Sequence, residues 1–189
     1  SVAEVARRRG LHLYMDGARL WNASAASGTA PDAYAREATL VSVCLSKGLG
    51  TPAGSLVCGP KDLIVEARRL RKRLGGAMRQ TGILAAAGLH ALDHHVARLP
   101  EDHDIARRLA EGLRAFPGGS ILFPVETNLV FAAFAGRSGA ELSQRLAKEG
   151  VLANPEGSRP DTLRFVTHLD VTRADVDEAL RRAARALAA

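Results

Sequence analysis

Two short apolar segments constrain the fold of this chain more than any other feature. Residues 11–15 and 39–45 have the length and apolar content of buried strands, and each is followed by a polar turn signal. A helical segment at residues 31–36 lies between them. A strand, a helix and a second strand in this order predict a right-handed crossover in a mainly parallel sheet. The chain is therefore expected to have an α/β fold.

The pattern changes along the rest of the chain. A third strand candidate covers residues 53–58, and helical patterns follow at 62–74, 80–99 and 102–113. Beyond them, strand candidates at 121–123, 128–133 and 163–167 are interspersed with helices at 138–149 and 172–187. This second pattern is typical of a compact α+β lobe. We therefore expect one domain over residues 1–113 and a small α+β domain over 114–189.

The composition excludes several classes of protein. The chain has 189 residues, of which 47% are hydrophobic and 24% charged, as expected of a folded globular protein. No apolar run approaches the roughly 20 residues that cross a bilayer, so we expect no membrane partner. Cys44 and Cys58 both lie in apolar segments and are expected to be buried, reduced thiols. These features favour a cytoplasmic protein.

The net charge raises the question of nucleic-acid binding. Lys and Arg number 26 against 20 Asp and Glu, a formal net charge of +6. Nucleic-acid binders usually cluster basic residues with aromatic side chains that stack on bases. Here aromatic residues make up only 4%, and the basic residues are spread over several helices among acidic ones. We expect no nucleic-acid partner, and an affinity that falls steeply with salt would contradict this.

Lys47 is the first candidate for chemistry. It directly follows an apolar strand, and glycines at positions 48, 50 and 54 give it a flexible exit that strand stability does not require. A lysine amine at the mouth of a sheet, partly shielded from water, can act as a nucleophile and form a Schiff base. Taken alone, an ordinary surface lysine in a turn is the commoner explanation.

Asp16 is the second candidate, and its distance from Lys47 gives both residues more weight. The two lie about 30 residues apart, the length of one βαβ unit, and each follows a strand candidate. Ligands of open α/β sheets bind at the carboxyl ends of parallel strands. An aspartate there can pair with a protonated heterocyclic nitrogen, as pyridoxal phosphate chemistry requires. The alternative for Asp16 alone is a common Asp-Gly turn.

Four segments, taken in order, resemble successive signatures of the low-specificity threonine aldolases. They are HLYMDGARL at 12–20, SVCLSKGLG at 42–50, RKRLGGAMRQ at 71–80 and LRFVTH at 163–168. This family belongs to the β-eliminating lyase group of fold-type I enzymes that use pyridoxal 5'-phosphate. The resemblance implies that residues 1–113 are the C-terminal part of the large cofactor-binding domain, with a mostly parallel sheet and linking helices. Residues 114–189 would be the small C-terminal domain.

The resemblance also implies roles for individual residues. Lys47 would be the catalytic residue that forms the Schiff base with pyridoxal phosphate, and Asp16 would bind the pyridine nitrogen. Arg19 would contact the cofactor and the substrate carboxylate, and Arg164 would also bind that carboxylate.

Two further basic residues, Lys72 and Arg79, match positions near the cofactor phosphate, in the resemblance that of a neighbouring subunit. A homo-oligomer, dimer or tetramer, is therefore expected. No metal site is expected: His90 and His94 stand at i and i+4 on one helical segment, but without the HExxH pattern they are interpreted as surface histidines.

The function that the resemblance implies is cleavage of L-threonine or L-allo-threonine, small β-hydroxy-α-amino acids, to glycine and an aldehyde. Alternatives are a serine hydroxymethyltransferase-like enzyme, an aminotransferase, or a non-catalytic fragment that acts only in assembly. Those aldolases have a glycine-rich phosphate loop and a cofactor-stacking histidine ahead of the segment matched here, and only 15 residues precede Asp16. The chain is thus expected to be the C-terminal portion of an aldolase, with its activity in isolation left open.

Overall fold

A computed structural model describes residues 1–188, and the chain divides into two units, Ser1–Leu99 and Pro100–Ala189. These units are defined by compactness and not by the domains of a protein family. The domain boundary expected between residues 113 and 114 therefore stays a prediction. No helix within the described residues is both long enough and apolar enough to cross a membrane.

The first unit combines a small sheet with helices. Its elements are α1 (Val2–Arg8), β1 (Tyr14–Gly17), α2 (Leu20–Ser27), α3 (Pro31–Ala35), β2 (Leu40–Cys44), β3 (Ser55–Cys58), α4 (Lys61–Arg73), α5 (Gly82–His94) and a 3-10 turn (Val96–Arg98). Helix α1 begins with a capping box, in which the Ser1 side chain accepts from the Glu4 backbone N–H and the Glu4 side chain accepts from Ser1.

The three strands are ordered β1-β2-β3 and are not all parallel. Strands β1 and β2 are parallel, with Asp16 opposite Ser42, whereas β2 and β3 are antiparallel, with Cys44 opposite Ser55. The parallel pairing expected of the first two strands is correct, and the antiparallel β3 departs from the expectation of a mainly parallel sheet. The reason is the connection after β2, because a parallel return needs a dozen or more residues and the loop between Cys44 and Ser55 is shorter.

The two faces of this sheet differ in character. On one face, Val41 and Val43 are buried and pack with Leu20 of α2. Each such burial stabilises the fold by about 1.5–3 kcal/mol. On the other face, the Tyr14 hydroxyl donates to Ser42 Oγ at 2.8 Å across the β1–β2 pair. The polar side chains of β1 and β2 are therefore on the face opposite to this apolar core.

The cysteines differ from expectation. Cys44 is half-buried and Cys58 is exposed, so the prediction of two buried thiols is wrong. Cys58 lies in β3, whose four residues are all exposed at the edge of the sheet. The apolar character of that segment indicated a buried strand but could not indicate an edge position.

The second unit is an antiparallel sheet packed with helices. Its elements are α6 (Leu99–Arg114, whose first residue belongs to the first unit), β4 (Gly119–Ile121), β5 (Leu129–Phe134), α7 (Gly139–Lys148), β6 (Asn154–Pro155), β7 (Thr162–Val166) and α8 (Arg173–Ala188), with strand order β4-β5-β7-β6. Alternate residues of β5 point inward, and Leu142 and Leu146 of α7 meet them at helical spacing. The α+β character expected for this region is therefore correct.

Helices α6 and α8 are joined by an ion pair. Arg108 Nε donates to Asp177 Oδ1 at 2.6 Å. This hydrogen bond from the guanidinium lowers the pKa of the Asp177 carboxyl below its ordinary value. Both side chains are about two-fifths exposed, so the pair contributes little to stability compared with the apolar core.

A buried polar cluster connects the N-terminal end of α6 to the end of β7. The Thr167 hydroxyl donates to the Asp102 carbonyl at 2.6 Å, and Asn128 Nδ2 donates to the Thr167 carbonyl at 2.8 Å. All three residues are at least 98% buried. Because a buried carbonyl that loses its donor is costly, this cluster fixes the strand that carries Arg164.

Replacing Thr167 by valine tests this cluster. Thr167→Val keeps the shape of the side chain but leaves the Asp102 carbonyl without the hydroxyl donor. We expect the free energy of unfolding of the second unit to fall by about 1–3 kcal/mol, measured by urea denaturation. Thr167→Ser retains the hydroxyl and should lose less, and equal losses in the two variants would contradict the assignment.

Candidate active site

The carboxyl ends of β1 and β2 form the centre of the candidate site. Because the two strands are parallel, both end at the same edge of the sheet. Asp16 is the next-to-last residue of β1, and Lys47 follows the last residue of β2 by three positions. The structure thus places the two main predicted residues at one sheet edge, within one unit.

Asp16 is exposed, and the backbone after it fixes its carboxylate. Its Oδ1 accepts a hydrogen bond from the Ala18 N–H at 3.0 Å, which closes a local turn. Arg19 follows as the N-cap residue of α2 and is half-buried. One carboxylate oxygen of Asp16 is thus used to shape the turn, and Oδ2 has no hydrogen bond within residues 1–188.

Lys47 stands on a closed turn. The Gly50 N–H donates to the Lys47 carbonyl at 2.9 Å, and the Thr51 N–H donates to the Leu45 carbonyl at 3.2 Å. Gly50 has φ +67°, the left-handed region that favours glycine. The Lys47 side chain is exposed and has neither a hydrogen bond nor an ion pair with the described part of the chain.

The base of this turn is packed into a small core. Leu49 and Leu99 have no exposed surface, and they cluster with Leu45 and Ala91. Gly48 is confined from two sides, since a Cβ there would lie 2.8 Å from Asn22 Oδ1 and 3.0 Å from Leu99 Cδ2. The backbone of the turn is therefore closely packed, while the Lys47 side chain is exposed.

Lys72 and Arg79 lie in an exposed basic segment of the same unit. Lys72 is in the last turn of α4, and Arg79 lies in the connection to α5. Neither side chain forms an ion pair or a hydrogen bond among the residues the structure describes. Gln80, next to Arg79, has φ +53°, a conformation that residues with a side chain seldom adopt.

Arg164 belongs to the second unit. It lies in β7 and pairs with Phe131 of β5 and Asn154 of β6. Its Nε is buried and has no hydrogen-bond partner within residues 1–188. A buried guanidinium N–H without a partner is costly, which makes Arg164 a candidate for binding an anionic ligand.

Two residues of the site neighbourhood were missed by sequence reasoning. Asn22 of α2 is 1% exposed and lies against Gly48, and the His95 ring contacts the carbonyl of Leu49. Asn22 stands in a run of small residues that had not been interpreted as a helix. The signal for His95 is its position beside His90 and His94, which are interpreted from the sequence as surface histidines.

The histidine cluster does not have the geometry of a metal site. The rings of His90 and His94 stack with centroids 4.3 Å apart and an interplanar angle of 19°. Ring-nitrogen lone pairs lie in the ring planes, so nearly parallel rings direct them side by side and not toward one ion. Among the described residues, no group of three or more His, Cys, Asp or Glu side chains could hold a metal ion.

Comparison with known proteins assigns the family. Residues 1–136 match the Beta-eliminating lyase family. The chain belongs to this family.

Two relatives extend the match over most of the chain. It is 44% identical over 175 residues to the low specificity L-threonine aldolase of Escherichia coli (strain K12), covering 93% of this chain and 51% of the relative. It is 41% identical over 179 residues to the low-specificity L-threonine aldolase 1 of Arabidopsis thaliana, covering 93% of this chain and 49% of the relative. The resemblance found in the sequence is confirmed, and the chain spans about half the length of these relatives.

Solved structures show the same fold. A candidate L-allo-threonine aldolase of Listeria monocytogenes EGD-E superposes with a TM-score of 0.77 at 23% identity, covering 98% of this chain and 54% of that one. A candidate aromatic amino acid beta-eliminating lyase/threonine aldolase of Exiguobacterium sp. 255-15 gives 0.77 at 21% identity, with 98% and 55% covered. The chain of this β-eliminating lyase family member therefore has the fold of these proteins.

Replacing Gly48 by alanine tests the packing of the Lys47 turn. The new methyl group would collide with Asn22 and Leu99, so we expect a loss of about 1–3 kcal/mol in the free energy of unfolding of the first unit. Thermal or urea unfolding measures this. Gly82→Ala is the matched control, because a Cβ at Gly82 meets nothing within 4 Å. Equal stability of the two variants would refute the close packing.

Proposed function

We propose that this chain carries the catalytic lysine and ligand-binding residues of a pyridoxal-phosphate-dependent lyase that cleaves L-threonine or L-allo-threonine to glycine and acetaldehyde. The observation that carries the proposal is Lys47, an exposed residue whose amine has no hydrogen bond or ion pair within residues 1–188. It lies on a closely packed turn at the sheet edge where Asp16 also lies. Membership of the β-eliminating lyase family and the names of the E. coli and Arabidopsis relatives support the reaction class.

The residues of the first unit fit the cofactor by their chemistry. A lysine amine can bind the carbonyl carbon of pyridoxal phosphate covalently, and a carboxylate can hold the ring nitrogen in its protonated form. Oδ2 of Asp16 has no hydrogen bond within the described residues and is available for that contact. When bound, the cofactor supplies the acceptor for the electrons of the broken Cα–Cβ bond.

The arginines are proposed to bind the substrate carboxylate. A planar guanidinium matches a carboxylate better than an ammonium does, because it donates two parallel hydrogen bonds. The buried Nε of Arg164, which has no hydrogen-bond partner within residues 1–188, supports this role in the second unit. Arg19, at the start of α2, follows Asp16 by three positions, which supports a role beside the cofactor and the carboxylate.

Lys72 and Arg79 are proposed to bind the cofactor phosphate of a second copy of the chain. Both are exposed, and between Glu66 and Asp93 the segment has no acidic residue to neutralise them. A phosphate dianion would satisfy these cations. The functional enzyme would then be at least a dimer.

Substitution of Lys47 tests the proposed cofactor attachment. With added pyridoxal phosphate and borohydride, we expect the reduced adduct to map to Lys47, and Lys47→Arg to abolish that adduct and its visible absorption band. Arginine keeps the positive charge but is too basic to react as a free amine. Lys148→Arg, an exposed lysine of α7, is the control and should change neither readout. An adduct that persists in Lys47→Arg would overturn the assignment.

Substitution of Asp16 separates cofactor binding from cofactor activation. Asp16→Asn keeps an oxygen for the Ala18 N–H but loses the charge that would hold the ring nitrogen protonated. We expect the Lys47 adduct to form while threonine cleavage, followed as acetaldehyde release, falls by about ten- to a thousandfold, the effect of losing 1–3 pKa units of charge stabilisation. Asp32→Asn, an exposed helix residue paired with Arg36, should cleave normally. Normal cleavage by Asp16→Asn would contradict its role.

A further inference from the structure

A single side-chain hydrogen bond connects the end of α5 to the turn that carries Lys47. His95, the C-cap residue of α5, has its Nδ1 at 2.7 Å from the carbonyl oxygen of Leu49, 46 positions earlier in the chain. A carbonyl can only accept, so Nδ1 carries the proton in this bond. Leu49 has no exposed surface, and a buried carbonyl without a donor is costly. His95 therefore satisfies a backbone group inside the Lys47 turn.

Helix α5 is pressed closely against this turn. Ala91 is 1% exposed and packs with Leu45 and Leu49, and a Cβ at Gly88 would lie only 3.1 Å from Leu45 Cδ1. The small residues at these two positions let the helix approach the backbone on both sides of Lys47. The end of α5 thus comes near enough for the His95 side chain to reach the turn.

The orientation of the His95 ring is itself supported. The ring of His90, five residues earlier in α5, meets it edge to face with centroids 5.4 Å apart. Such an arrangement is a favourable aromatic contact. The His95 ring that bonds to Leu49 is therefore also held in place by a contact with His90 of α5.

We propose that His95 is a positioning residue for Lys47, which it fixes through the Leu49 carbonyl. The inference rests on the proposed role of Lys47 in cofactor binding. The exposed lysine side chain has no hydrogen bond or ion pair among the described residues, so the backbone of its turn is what the first unit uses to place the amine. A displacement of about 1 Å at a reacting group can lower a rate by two orders of magnitude.

The neighbouring histidine provides a matched control. His94 Nδ1 contacts the carbonyl of His90 at 2.8 Å, within α5 itself. His94→Leu and His95→Leu each remove one bond from a histidine nitrogen to a backbone carbonyl, but only the second bond belongs to the Lys47 turn. His95→Asn keeps an N–H donor at the position of Nδ1, two bonds from Cβ, and is the conservative rescue. His95→Gln keeps the donor but displaces it by one bond.

The first measurement is amide hydrogen exchange of Gly50 and Thr51 without cofactor, since their N–H groups close the turn. We expect about tenfold faster exchange in His95→Leu, the effect of losing a hydrogen bond to a buried carbonyl. His95→Asn and His94→Leu should exchange like the parent protein, and His95→Gln should be intermediate. If His95→Leu does not fold, the difference between His95→Gln and His95→Asn decides. Unchanged exchange in the folded His95 variants overturns the proposal.

The second measurement is the apparent affinity for pyridoxal phosphate, from the visible band and the borohydride-reduced Lys47 adduct. We expect about tenfold weaker binding in His95→Leu and parent-like binding in His95→Asn and His94→Leu. Faster exchange with unchanged Lys47 adduct formation overturns the positioning role. If the parent protein itself forms no Lys47 adduct, the proposed function fails, and hydrogen exchange alone then decides whether His95 holds the turn.

Discussion

The candidate site depends on the parallel pairing of β1 and β2. This pairing brings the carboxyl ends of two strands to one edge, and it is the reason that Asp16 and Lys47, about 30 residues apart in sequence, lie in the same region. The pairing is supported on one face by Val41 and Val43 against α2 and α3. A change that separates β1 from β2 would therefore disrupt the candidate site without altering the side chain of Asp16 or Lys47.

Burial divides the residues of the first unit into two groups. Asp16 and Lys47 are exposed, whereas Leu49, Asn22 and the backbone beneath them are buried. Within the described residues, the Lys47 amine and Asp16 Oδ2 have no hydrogen-bond partner, which costs little in water and leaves them available for a ligand. The buried groups define the backbone from which these side chains extend. The residues that stabilise this region are thus different from the exposed residues that are proposed to bind the ligand.

The sequence predicted most of the elements and the position of Asp16 and Lys47 at the ends of neighbouring strands, but not the contacts that hold that backbone. Local periodicity was sufficient for helices such as α4 and α7, whose observed ends lie within one residue of the predicted ones. Helix α2 was missed because Leu20–Ser27 is rich in small residues with weak periodicity. The direction of β3 depends on the length of the loop before it, and the exposure of Cys58 depends on the position of β3 at the sheet edge. The pattern of hydrophobic residues indicates neither.

The bond from His95 to Leu49 shows why such contacts escape sequence reasoning. The two residues are 46 positions apart, and the sequence around one does not indicate contact with the other. Only the packing of α5 against the Lys47 turn, made possible by Gly88 and Ala91, brings them together. Motifs such as SVCLSKGLG mark candidate reactive residues, since chemistry restricts their type. A residue that supports the backbone of a motif can be replaced by any side chain that supplies a donor at the same place, so its type carries a weaker signal.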